Sequence, residues 1–151
     1  MTTPAEELRA ARRRAGLTQA EVARRTGVAQ ANIAAYESGR RHPSPTMRAR
    51  LLAATRVRPS EVLDGYRDDV REIVRRHHGL DVRVFGSVAR GEDSPDSDVD
   101  LLVRFDDAVT LFDIADMTAE LEELLGCRVD IVDEAALWEA AGSAPAEAAA
   151  L

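Results

Sequence analysis

The chain of 151 residues contains a single cysteine, Cys127, so an internal disulfide is impossible. Stability must come from a packed core, and a reducing compartment suits such a protein. Cys127 itself reads as a half-buried core thiol. No run of 18 uninterrupted apolar residues occurs, which excludes a spanning helix of the usual length. The first residues, with Glu6 and Glu7 among early arginines, lack the basic-then-apolar layout of a secretory signal. A cytoplasmic protein with no membrane partner is expected. The pair His77–His78 falls at a helix end, where imidazoles cap carbonyls, so a histidine metal site is not expected.

What is present divides unevenly. Hydrophobic residues make up 45% of the chain, enough for one ordinary domain or two small ones. Residues 1–66 carry 12 Arg against 6 acids, whereas residues 67–151 carry 8 Arg against 21 acids. A basic half suits a polyanion, and an acidic half implies different work.

The hydrophobic spacing follows the same division. Thr3-Pro4-Ala5-Glu6 and Thr18-Gln19-Ala20-Glu21 each read as a capped helix start, and Gly16, Gly27 and Gly39 read as stops. Five short helices are predicted before Asp64-Gly65. A polar helix from about Tyr66 to His78 follows, then strand-like runs at 82–85, 99–103 and 128–132, with a helix ending at Gly126 before the last. The alanine-rich segment from 142 to 151 has little to bury and is expected to be frayed. The fold class is therefore α+β in two domains. An all-α domain over 1–65 precedes a small α/β domain with a mixed sheet over 66–141, and a flexible tail covers 142–151.

In the first domain, two short helices on either side of Gly27 form a helix-turn-helix candidate. Gln30, Ala31 and Asn32 open its second helix, where side chains reach base edges, and the Gln30 amide can pair with adenine. Gln19 is placed to touch phosphate, with Arg40 and Arg41 adding phosphate contacts. Leu17 through Ala23, Gly27-Val28, Ile33, Glu37 through Arg41 and Pro43-Ser44 resemble the Cro/C1-type (XRE) family over about residues 5–64. Ala29 departs from that family's frequent serine and forfeits about 1 kcal/mol of capping. The resemblance implies an operator DNA partner and binding as a dimer.

In the second domain, Asp98 and Asp100 are two residues apart on a predicted strand, so both carboxylates project from one face. Carboxylates held together repel and raise each other's pKa unless a cation intervenes, and Mg²⁺ is the hard ion that suits them. Asp130 repeats the pattern on the last strand and joins the cluster if that strand lies beside the second. Two metal ions could then activate a nucleophile and steady a leaving pyrophosphate. Gly86 and Ser87 follow a strand and can hold phosphate oxygens, while Arg90 offers either charge to a triphosphate or an internal salt bridge.

Two competing motifs fail. The Asp96-x-Asp98-x-Asp100 run lacks the EF-hand glycine, with Leu101 at the sixth position and Asp107 at the twelfth. The Gly86-x4-Gly91 run is followed by Glu92-Asp93 where a P-loop needs Lys-Ser/Thr.

Gly86-Ser87, Asp98-Val99-Asp100 and Asp130 resemble the DNA polymerase β-like nucleotidyltransferase superfamily, in its minimal (MNT) branch, over about residues 66–140. That resemblance implies a magnesium-dependent nucleotidyltransferase using ATP or another NTP. It further implies an antitoxin of the HEPN/MNT type, which transfers AMP to a hydroxyl of a HEPN-type toxin in a homodimer or hetero-oligomer. A fused operator-binding module suits repression of its own operon. Two alternatives stand beside this: a non-catalytic regulator that masks its partner by binding, and a small-molecule nucleotidyltransferase.

Overall fold

The computed structural model describes residues 1–151, which divide into two compact units, Met1–Val57 and Arg58–Leu151. No helix is long and apolar enough to cross a membrane.

The first unit holds four helices: α1 (Pro4–Arg14), α2 (Gln19–Thr26), α3 (Gln30–Glu37) and α4 (Pro45–Ala54). Thr3 and Thr18 form reciprocal capping boxes with Glu6 and Glu21, and Gly27 ends α2 in the left-handed conformation that glycine adopts without strain. Ala29 gives α3 no side-chain cap, as the sequence implies. Leu8, Val22, Ile33, Tyr36 and Leu51 meet in the core. Beside them the Glu37 carboxylate, 4% exposed, accepts from Arg12 Nε at 2.6 Å and from Gln19 Nε2 at 3.0 Å. Burial works to raise the Glu37 pKa, but the hydrogen bonds from Arg12 and Gln19 outweigh it and hold the carboxyl below its ordinary value.

The second unit contains α5 (Pro59–Gly65), α6 (Arg67–Arg76), β1 (Gly79–Phe85), α7 (Gly86–Arg90), β2 (Val99–Phe105), α8 (Leu111–Leu125), β3 (Val129–Asp133), α9 (Glu134–Ala141) and β4 (Ala149–Ala150). The four-stranded sheet runs β3-β2-β1-β4. Strand β2 is parallel to β3, and β1 is antiparallel to β2 and β4, so the sheet is mixed as the sequence implies.

Alternation along the strands sorts the two faces. Val84 lies opposite Leu101, and Val82 opposite Val103. With Val99 these side chains are buried on the face packed by α6 and α8, whose Val70, Val74, Met117 and Leu121 are also buried. Arg83, Phe85, Asp100 and Leu102 point to the other face, where the ion pair between Arg83 and Glu134 places α9. Full burial of a Leu or Val contributes about 1.5–3 kcal/mol, so the apolar alternation of β2 fixes which side Asp100 faces.

Two segments differ from the expectation. Helix α5, which the sequence spacing groups with the N-terminal domain, packs in the second unit on α7 and α8. Its Pro59, Val62 and Leu63 are buried there, and the Asp93 carboxylate accepts the Ser60 N–H at 2.9 Å near its start. The 142–151 segment is not frayed. Its residues 149–150 pair with β1, the Leu151 N–H donates to the Val82 carbonyl at 3.3 Å, and the Leu151 side chain is buried. An edge strand is held by its main chain, which alanine offers as readily as any residue, so apolar periodicity gives no sign of it.

Candidate active site

The β1–α7 junction builds one wall of the site. Strand β1 ends at Phe85, and Gly86 turns the chain at φ +72°, a left-handed conformation. A Cβ on residue 86 would stand 2.3 Å from Asp100 Oδ2. Glycine is thus required twice, by the backbone and by the carboxylate against it. Ser87 follows, half-buried, and Arg90 closes the short helix in an exposed position.

Strands β2 and β3 supply the acids. They run parallel with Asp100 in register with Asp130, and both side chains lie on the sheet face opposite α6 and α8. The sequence places Asp98 on the same strand as Asp100. In the structure β2 begins at Val99, and Asp98 is the residue just before it, half-buried. Asp130 is exposed and Asp100 half-buried. Burial first, then the charges of Asp130 and Asp98, push the Asp100 pKa up, and Arg90 opposes them only in part. The three acids therefore share one electrostatic neighbourhood. They do not form a closed set of three ligands.

Arg90 forms salt bridges to Glu92 at 2.8 Å and Glu147 at 3.2 Å. Glu147 is not expected from the sequence to stand beside Arg90. Its only signal is that it is the sole ionisable residue in the 142–151 segment.

In the first unit, Gln30 and Ala31 open α3 and are exposed. The Asn32 Oδ1 accepts from Arg41 at 2.8 Å, and Arg40 Nε donates to the Ser38 hydroxyl at 3.1 Å. Gln19 is half-buried with its amide nitrogen committed to Glu37. Only one of the two N–H groups on that nitrogen is used there, and the other can still donate to a phosphate.

Fold and acid cluster together define a class: a mixed α/β domain of the nucleotide-transfer type joined to a helical unit of the DNA-binding type. The chain belongs to the nucleotidyltransferase domain family, whose model matches residues 67–147, while a helix-turn-helix model matches residues 8–62. It is 40% identical over 76 residues to protein adenylyltransferase MntA of Thermococcus cleftensis, covering 50% of this chain and 74% of that protein. A Methanocaldococcus jannaschii relative, provisionally named a protein adenylyltransferase, is 40% identical over 60 residues, covering 40% of this chain and 64% of its own length. A solved structure provisionally described as a minimal nucleotidyltransferase superposes with a TM-score of 0.52 at 46% identity. That match covers 61% of this chain and 95% of the solved one.

Proposed function

We propose that the protein transfers AMP from ATP to a hydroxyl group on a partner protein, and that its helix-turn-helix unit represses its own operon. The observation that carries this reading is the register of Asp100 with Asp130 beside the Gly86 turn. Hard-oxygen donors fit a divalent cation where burial, and then the charges of Asp130 and Asp98, raise the Asp100 pKa, so Asp98, Asp100 and Asp130 would hold Mg²⁺. When bound, the metal would neutralise charge on the triphosphate and on the departing pyrophosphate.

The remaining roles fall to the chain. Main-chain amides at Gly86-Ser87 and the Ser87 hydroxyl orient phosphate oxygens, and Arg90 adds charge. The acceptor hydroxyl oxygen forms a bond to the α-phosphorus, the bond from that phosphorus to the β-bridging oxygen breaks, and pyrophosphate leaves. Asp130, the most exposed of the three acids, would take the hydroxyl proton. The similarity to protein adenylyltransferase MntA favours a protein partner over a small molecule. A HEPN-type toxin in a cytoplasmic operon is the partner this reading assigns.

The test is incubation with ATP labelled at the α-phosphate, Mg²⁺ and the product of the neighbouring gene. Label on that product, lost with Asp98→Asn, is the expected result. Silencing of the partner that survives Asp98→Asn would mean masking by contact instead.

A further inference from the structure

We propose that Glu147 is a built-in competitor for nucleotide: its carboxylate pairs with the Arg90 guanidinium beside the Gly86 turn, and nucleotide binding displaces it. This rests on the reading of the Gly86–Arg90 turn as the triphosphate site. It adds a regulatory element from a segment outside the acid cluster.

The placement is geometric. Arg90 Nη1 donates to Glu147 Oε1 at 3.2 Å, while its Nε donates to Glu92 at 2.8 Å, so Glu147 holds the second arm of the guanidinium. The segment is fixed on both sides of Glu147. Upstream, the Ala148 N–H closes a turn onto the Pro145 carbonyl at 3.0 Å. Downstream, β4 pairs with β1, Leu151 is buried, and Arg71 donates to the Leu151 main-chain oxygen. A side chain at the tip of so short a clamped turn has few other places to go. Its own main-chain N–H lowers the Glu147 pKa first, burial opposes, and then Gly86 and Arg90 lower it further, so the group is charged at neutral pH.

A carboxylate is a weak stand-in for phosphate. It brings one charge to donors that a triphosphate meets with several, so nucleotide wins at sufficient concentration but binds against a standing competitor. The consequence is a weaker apparent affinity for nucleotide, with no effect on the chemical step once it is bound.

Calorimetric titration of the full chain with Mg-ATP tests this. Glu147→Gln and Glu147→Ala should each tighten binding by about three- to fivefold, the range of an exposed ion pair. Glu139→Gln, which removes the same charge from exposed α9, should change affinity far less. In an Arg90→Ala background the gain from Glu147→Gln should shrink, because the two groups then no longer act as a pair. Unchanged or weaker binding in both Glu147 variants overturns the inference. So does an equal gain from Glu139→Gln, which would reduce the effect to bulk charge. Those outcomes leave the nucleotide reading standing. Absence of Mg-ATP binding in the unaltered chain and in every variant removes that reading and the inference with it.

Discussion

The Asp100 carboxylate occupies the space that a side chain on residue 86 would need, 2.3 Å from the position of a Cβ built on Gly86. The turn that would meet phosphate and the acid that would meet metal are therefore one packed contact between α7 and β2. Several consequences can be measured.

Gly86→Ala meets two penalties, a left-handed φ of +72° and the Asp100 oxygen. A loss of stability of about 1–3 kcal/mol is expected in chemical denaturation. Nucleotidyl transfer should fall at least about 100-fold, because misplacement by about 1 Å costs that much. Full activity in this variant would show that the contact is incidental.

Asp100→Asn separates stability from function. Burial and neighbouring acids raise the Asp100 pKa in the folded chain above its unfolded value near 3.8. The folded state then holds more protons than the unfolded one across that window, so stability falls as pH rises through it. At neutral pH the asparagine variant should be more stable by up to about 1 kcal/mol after allowance for solvent screening. It should also be inactive. Thermal unfolding at pH 7 against pH 4 reads the difference, which should vanish toward the acid end.

In the helical unit, Arg12→Ala leaves Glu37 buried without its principal partner. Breaking such a pair costs about 3 kcal/mol or more. The Glu37 pKa is depressed, so its stabilisation is complete above its ordinary value of 4.5 and is lost as pH falls below it. Acid titration of the unaltered chain should show this loss, and Glu37→Gln should be less sensitive over that range.

Gln30 stands exposed at the start of α3 with its amide available. If it reads a base, Gln30→Ala should lower operator selectivity by about 1–3 kcal/mol, while Arg41→Ala should weaken all sequences alike and flatten the salt dependence. Competition binding against non-operator DNA distinguishes the two.

How far the sequence carried depends on which physical signal each residue leaves. Thr3 and Thr18 announce their helices because a capping box needs particular residues three apart. Val99, Leu101 and Val103 announce β2 because burial on one face demands alternation. Helix α5 was legible as a helix but not in its allegiance, since Pro59, Val62 and Leu63 are equally apolar whichever core receives them. Helix α9 left only the Asp133 cap as a signal and received no expectation. The 149–150 strand left none, because main-chain pairing on a sheet edge asks nothing of the side chain. The acids and the glycine were legible as a motif. The Glu147 contact was not, because it depends on the chain folding back across the sheet.

The most direct test is whether nucleotide binding requires metal through the acids of β2 and β3. Titration of ATP with and without Mg²⁺ should show binding that depends on the ion in the unaltered chain and is lost in Asp100→Asn and weakened in Asp130→Asn. ATP binding of equal strength without Mg²⁺, or undiminished in Asp100→Asn, would contradict the assignment of these carboxylates to a metal–nucleotide site.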